Sequence, residues 1–263
     1  MSIVQDNLER LQIVAALDNI SAADLELLSH PARVSYQDLE IKGKKYPAWR
    51  IVYSNDLGPG KGGIRFHPEV SEDEVQSLAF WMALKNSLAD IPYGGAKGGV
   101  KFNPKEADQA ELQEVSRAYA RAFHEVLGQD KDVPAPDVYT NSQTMAWILD
   151  EYEKIIGKHE PGMITGKPVE LGGIKLRSDA TAQGSYFVAQ EMVKEFMPNK
   201  QPQEITVAVQ GFGNAGLFMA EKLAADGYKL VAASDSQGGI YNADGLDIPA
   251  LSAFKAQGNS VNT

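Results

Sequence analysis

Apolar residues recur at helical spacing in some stretches and in alternating or continuous runs in others, and the two periods divide the chain. Two short amphipathic helices open it, the second capped by Ser21 and stopped by Pro31, and strand-like runs follow near residues 33–42 and 47–54. Ser71 with Glu74 forms a capping box ahead of a helix carrying Val75, Leu78, Met82 and Leu88. Asp108 with Glu111 does the same ahead of a helix that Gly128 should end. Further helices are expected over residues 141–156, with Gly157 behind, and 181–196. Between those two the periodicity lapses into the glycine-rich TGKPVELGGIKLR. Beyond it the order becomes helix, turn signal PNKQPQ, strand, helix, strand. The lapse predicts a domain boundary, with residues 1–178 and 179–263 as separate α/β domains.

Composition narrows the function. A chain of 263 residues has enough length for two domains, each with its own core. The formal charge of −10 and pI near 4.9 repel phosphate backbones and anionic lipid, so neither nucleic acid nor a membrane surface is an expected partner. Any anionic substrate must therefore find a local basic pocket. With no cysteine there are no disulfides, thiolate metal sites or thiol nucleophiles, and His30, His67, His124 and His159 are scattered without metal-ligand spacing. The first residues lack a basic segment followed by an apolar core, and no later run is long enough to span a bilayer. A cytoplasmic protein without a metal is the expectation.

Residues 205–235 carry the first chemical signal. They read as a strand, ITVAVQ, then Gly211, Phe212, Gly213, Asn214, Ala215 and Gly216, then a helix and a second strand ending in Asp235. In a βαβ unit the first glycine allows the tight turn, the second lets the backbone approach a pyrophosphate, and the third packs helix on strand. The positive end of the helix then faces the anion. An acid at the end of the second strand can accept hydrogen bonds from the adenosine ribose and disfavour a 2′-phosphate, which leans toward NAD over NADP. Asp235 also suits a turn residue opening SDSQGG.

Three lysines carry the second signal. Lys61 sits within PGKGG and Lys97 within GGAKGG, where side-chain-free neighbours leave the lysine as the one long group reaching into the space. Flexible loops with solvated lysines are the plainer reading. Lys85 falls on the stripe Leu78, Met82, Lys85 and Ala89, flanked by Trp81, Leu84 and Leu88, so its helix reads as apolar nearly all round and buried. A buried ammonium needs a carboxylate or an anionic ligand unless it snorkels to the surface. Downstream, VPAPDV stiffens the backbone around Asp137.

Taken together, KGGIRFHP (61–68), LKNSLADIPYGGAKGGVKFNP (84–104), VPAPDVYTN (133–141), ITGKPVELGG (164–173) and QGFGNAG (210–216) resemble the Glu/Leu/Phe/Val dehydrogenase family, in order along nearly the whole chain. The resemblance implies an amino-terminal amino acid dehydrogenase-type α/β domain followed by a Rossmann dinucleotide-binding domain, with the active site in a cleft that closes about a hinge near residues 173–184. It implies that Lys97 is the catalytic lysine and Asp137 the proton-transfer acid. Lys85 would bind the substrate α-carboxylate and Lys61 the distal carboxylate, with Gly62, Gly63 and Met82 lining the substrate site. Arg177, Thr181 and Asn214 would approach the nicotinamide end of NAD or NADP, and the assembly would be a homohexamer built through the first domain. Lysine at 61, where members acting on branched-chain and aromatic amino acids resemble an apolar residue, argues for glutamate.

Two features depart from the family pattern. Gly172-Gly173-Ile174-Lys175-Leu176-Arg177 replaces a more glycine- and serine-rich loop, and Ala182 stands where glycine is common. Family members also run well beyond the length of this chain, so a partial Rossmann domain with exposed apolar surface and little activity of its own is expected. A non-catalytic subunit that oligomerises with full-length partners, or a dehydrogenase of neutral amino acids, are the alternative readings.

Overall fold

The structure is a computed structural model and describes residues 2–175 and 179–262. The chain divides into two compact units, Met1–Ile174 and Lys175–Thr263.

The first unit is built on a five-stranded sheet of β1 (Arg33–Ile41), β2 (Lys44–Ser54), β3 (Gly60–His67), β4 (Gly94–Lys101) and β5 (Asp132–Pro136), in the order β1-β2-β4-β3-β5. β1, β2 and β4 pair antiparallel, while β3 runs parallel to both β4 and β5. Helices cover both faces. Trp49, Ile51 and Tyr53 of β2 pack with Leu11 of α1 (Ile3–Asp18) and with Val75, Ala79 and Phe80 of α3 (Glu72–Leu88). Ala48, Ile64, Phe66 and Val100 pack with Tyr119 and Phe123 of α4 (Gln109–Phe123) and Ile148 and Leu149 of α5 (Ser142–Ile156). α2 (Ala22–Ser29) lies beside the first cluster through Leu25 and Leu28. Both faces being covered explains why β2 is apolar at consecutive positions.

The helix starts follow the caps read from the sequence, although two acids find other partners. Ser71 and Asp108 accept from the N–H of Glu74 (3.3 Å) and Glu111 (2.7 Å). The Glu74 carboxylate then pairs with Arg65 at 2.5 Å and Glu111 accepts from the Tyr46 hydroxyl at 2.7 Å, each across to another element. Asn141 and Thr144 form the reciprocal box at the head of α5. Gly128 does not end α4, which stops at Phe123. Two turn hydrogen bonds to the Phe123 carbonyl follow, and Gly128, at φ +147°, instead exchanges backbone hydrogen bonds with Asp132 where β5 begins.

The second unit holds a three-stranded sheet, β6 (Thr206–Gln210), β7 (Lys229–Asp235) and β8 (Gly238–Tyr241), with β6 and β7 parallel and β8 returning antiparallel. α7 (Asn214–Ala225) makes the crossover, and α6 (Ala180–Phe196) and α8 (Ile248–Ala256) complete the unit. Phe212, Ala220, Leu223, Leu230, Ala233, Ile248 and Val261 form its core. Phe187, Val188, Met192 and Phe196 of α6 are exposed.

Candidate active site

In the first unit the chemistry gathers on the α3 face of the sheet. Lys61 pairs with Gly95, two residues before Lys97, so the two lysines project from the same face of adjacent parallel strands. Lys97 is buried, at 5% exposure, and its Nζ donates to Oδ2 of Asp137, which follows β5. Strand β3 runs between β4, which carries Lys97, and β5, which leads to Asp137. A Cβ at Gly63 would sit 2.7 Å from the Asp137 Cβ and 2.9 Å from Oδ2, the oxygen that meets Lys97. Glycine at 63 is therefore a steric condition of the ion pair. Gly62 is constrained equally: a Cβ there would run into the Ala96 carbonyl and come within 3.3 Å of Cγ of Met82 on α3.

Asp137 is fixed from several sides. Its Oδ1 accepts from Arg65 Nε at 3.2 Å and from the Val138 N–H at 2.6 Å, while its own N–H donates to Thr140 Oγ1 at 2.7 Å. Burial pushes its carboxyl up, but the Lys97 ammonium, the Val138 N–H and Arg65 together outweigh that and hold it below the usual carboxylate range. Burial also dominates at Lys97, with Arg65 and Arg50 adding repulsion, and lowers its ammonium below the ordinary lysine value despite the attraction of Asp137. A lysine with a depressed pKa beside an ionised carboxylate can activate a water and exchange a proton with its neighbour.

Lys61 donates to Thr165 Oγ1 at 2.8 Å and lies 3.5 Å from the Pro134 carbonyl, so its ammonium is held within reach of the same face. Lys85 differs from the sequence expectation. It is exposed, as are Trp81, Leu84 and Leu88, because α3 buries only the side bearing Val75, Ala79, Phe80 and Asn86. The residue stands one helical turn beyond Met82, and its ammonium makes no hydrogen bond or ion pair with the described residues.

On the opposite face lies a charged cluster that motif reading missed. Arg50 alternates with Trp49 and Ile51 and so points toward α4, where it and Asp132 are both fully buried. Asp132 accepts from Arg50 through Nε (2.9 Å) and Nη2 and from Arg33 Nη2 (2.6 Å), and Arg50 Nη1 reaches the Gly62 carbonyl at 3.1 Å. Arg50 thereby ties the glycine strand beneath the lysines to β2 and β5.

In the second unit the turn after β6 is shaped for an anion. Gly211 adopts φ +89°, the N–H groups of Gly211 and Phe212 donate to the Ser234 carbonyl at 2.9 and 2.7 Å, and a Cβ at Gly216 would strike the Gly211 carbonyl. A Cβ at Gly213 would meet open space, and no side chain caps α7, so the first N–H groups of that helix stay available. The turn therefore fits a dinucleotide pyrophosphate.

The sequence agrees with this geometry when compared with known proteins. The Glu/Leu/Phe/Val dehydrogenase dimerisation domain matches residues 31–154, and the Glutamate/Leucine/Phenylalanine/Valine dehydrogenase domain matches residues 172–263. A solved glutamate dehydrogenase from Peptoniphilus asaccharolyticus superposes at TM-score 0.83 with 36% identity over 99% of this chain and 68% of its own. The chain belongs to the Glu/Leu/Phe/Val dehydrogenase family. The hetero-hexameric glutamate dehydrogenase of Thermus thermophilus gives TM-score 0.88 with 35% identity, over 98% of this chain and 63% of its own. An NADP-specific glutamate dehydrogenase of Synechocystis is 50% identical over 87% of this chain, and a catabolic NAD-specific glutamate dehydrogenase of Bacillus subtilis 46% identical over 86%. The chain spans 52% and 54% of the length of these two relatives.

Within this family framework several residues named from sequence serve in ways the motif does not convey. The Phe212 ring belongs to the core and its N–H is already taken by Ser234. Asn214 and Ala215 are exposed in the first turn of α7, and Thr181 is exposed in the first turn of α6. Arg177 lies outside the described residues. Asp235 turns inward: its oxygens accept from Lys255 Nζ (2.8 Å), the Gln237 N–H (2.9 Å), the Val261 N–H (3.0 Å) and Ser260 Oγ (2.8 and 3.0 Å). Among the described residues no group of three or more potential metal ligands clusters, and no helix is long and apolar enough to cross a membrane.

Proposed function

We propose that this chain carries the substrate-binding and catalytic machinery of a glutamate dehydrogenase, which converts L-glutamate reversibly to 2-oxoglutarate and ammonia with NAD or NADP. The observation that carries the reading is the buried Lys97–Asp137 pair, meeting over Gly63 with Lys61 on the same face. The first unit is the substrate and oligomerisation domain and the second the dinucleotide domain.

Two cations suit a dicarboxylate. Lys85, whose ammonium has no hydrogen-bond or ion-pair partner among the described residues, receives the α-carboxylate, and Lys61 the distal one, beside Gly62, Gly63 and Met82. The bound dinucleotide supplies the hydride chemistry, with Gly211, Gly213 and Gly216 seating its pyrophosphate and Asn214 and Thr181 facing its nicotinamide end. Lys97, neutral at a lower pH than an ordinary lysine, activates the water that attacks the imine carbon, and Asp137 passes the proton to and from the departing nitrogen. Hexameric assembly is supported by the solved relative from Thermus thermophilus, which is hetero-hexameric.

The test is a pair of measurements on the protein purified from its natural source and on the recombinant chain. Glutamate-dependent reduction of NAD or NADP by the native protein, and 2-oxoglutarate binding that Lys61→Leu abolishes while nucleotide binding persists, are expected. A native protein that turns over leucine or phenylalanine in preference to glutamate would overturn the assignment.

A further inference from the structure

One side chain ties the carboxylate of Asp137 to the helix that carries Lys85. Arg65 follows Lys61 and Gly63 at alternate positions of β3 and so projects from the same face, toward α3. Its Nε donates to Oδ1 of Asp137 at 3.2 Å, and its Nη1 to Oε1 of Glu74, in the first turn of α3, at 2.5 Å. With Lys97 this makes a row of alternating charge, Glu74, Arg65, Asp137 and Lys97, drawn from α3, β3, the loop after β5 and β4. None of the four side chains is more than 26% exposed, so salt screens the row only in part. Burial and Lys97 act first on the Asp137 carboxyl, and burial and Asp137 first on the Lys97 ammonium; Arg65 adds to the lowering of both.

An ionised carboxylate has about four acceptor sites. On Asp137 the Arg65 Nε and the Val138 N–H occupy the two on Oδ1, and Lys97 takes one on Oδ2. One site remains, on Oδ2 beside the lysine. Glycine at 63 keeps the space next to that oxygen clear, since a Cβ there would stand 2.9 Å from it. A carboxylate free to turn about its last bond would exchange its two oxygens, and the planar fork of an arginine held at its other end resists that turn. Resting on the reading of Asp137 as the proton-transfer acid, we propose that Arg65, held by Glu74, is a positioning residue that commits Oδ1 and leaves Oδ2 as the one oxygen through which Asp137 exchanges protons. The aim of the acid is thereby tied to the seating of α3, the helix that brings Met82 and Lys85 to the substrate.

The experiment follows two pH midpoints in the full chain: the Asp137 carboxyl by carbon-13 NMR of aspartate-labelled protein, assigned with Asp137→Asn, and Lys97 by acylation and peptide mass spectrometry. Arg65→Met should raise both. Arg65→Lys keeps the charge but not the fork, so it should recover most of the shift at Lys97 and less of it at Asp137. Glu74→Gln should shift the Asp137 midpoint in the parent and leave it in place in the Arg65→Met background, because Glu74 acts through Arg65. Where urea titration shows that Arg65→Met does not fold, Arg65→Lys serves as the background. Midpoints unmoved by Arg65→Met, full recovery of both by Arg65→Lys, or a Glu74→Gln shift that is absent in the parent or equal in the two backgrounds overturns the inference and leaves the proposed function standing. A Lys97 midpoint unmoved by Asp137→Asn removes the catalytic pair itself, and the inference with it.

Discussion

Replacing Asp132 by alanine tests whether the charged cluster beneath the glycine strand holds the first unit together. The carboxylate takes three hydrogen bonds, two from Arg50 and one from Arg33, and both Asp132 and Arg50 have no solvent-exposed side-chain surface. Burial by itself favours a neutral guanidinium, yet the charge and hydrogen bonds of Asp132 more than offset it, so Arg50 stays protonated. Without Asp132 the Arg50 cation keeps, among the described residues, the Gly62 carbonyl as its acceptor outside the Tyr119 neighbourhood and cannot reach water. Arg33, 31% exposed, can rehydrate, so the loss is set by Arg50. Removing one partner of a buried pair costs about 3–5 kcal/mol, and that is the expected loss. Trp49, Trp81 and Trp147 all lie in the first unit, so tryptophan fluorescence in urea follows that unit alone. At a urea dependence of about 2–3 kcal/mol per molar, the midpoint should fall by more than about 1 M. Arg50→Met combined with Asp132→Leu should lose less than Asp132→Ala, because no orphaned charge remains. An unfolding free energy for Asp132→Ala within about 1 kcal/mol of the parent's would show that the guanidinium finds solvent, and the reasoning would fail.

Gly63→Ala should displace Asp137 from Lys97 and destabilise the first unit by about 1–3 kcal/mol, an overpacking cost readable in the same urea titration. Asp137→Asn removes the anion that raises the Lys97 pKa, so the pH midpoint for acylation of Lys97, followed by peptide mass spectrometry, should fall further below that of an ordinary lysine; an unchanged midpoint would mean the two groups are uncoupled. Asp137 has a depressed folded pKa, so its stabilisation is present above the unfolded carboxylate value and is lost as pH falls through the folded one. Lys97 has a depressed folded pKa as a base, so its contribution becomes more favourable as pH rises from that folded value toward the ordinary lysine value. Urea midpoints of the parent and of Asp137→Asn should therefore converge as the solution is acidified below the carboxylate range.

What was legible in the sequence was local. The glycine turn, the lysines among glycines and the stiff segment around Asp137 each announce themselves within a few residues. Arg50 with Asp132, Arg65 with Asp137 and Lys61 with Thr165 are separated by 82, 72 and 104 positions, so no window of sequence joins them. The capping signals located helix starts correctly, but they did not show that Glu74 and Glu111 reach across to Arg65 and Tyr46. Lys85 is exposed for a related reason. The apolar content of α3 suggests burial on all sides, whereas the helix is seated one-sidedly, with Ala83 so close to β4 that a Cβ at Gly95 would strike it.

That seating points to why the site is built from residues that suit strands poorly. β3 and β4 hold Gly60, Gly62, Gly63, Gly94, Gly95, Gly98 and Gly99, each of which costs about 0.5–1 kcal/mol relative to alanine in a strand interior. At Gly62, Gly95, Gly98 and Gly63 an added side chain would meet the Ala96 carbonyl, the Ala83 backbone, the Tyr119 hydroxyl and Asp137, so these glycines permit α3, α4 and the Asp137 loop to close on the sheet. The same closeness removes the water that would otherwise solvate Lys97 and lowers its pKa. On the far face it creates the room that Arg50 and Asp132 fill, and Arg50 in turn holds the Gly62 carbonyl. The sheet gives up intrinsic strand preference for close approach, and a lysine poised to lose its proton follows from that geometry.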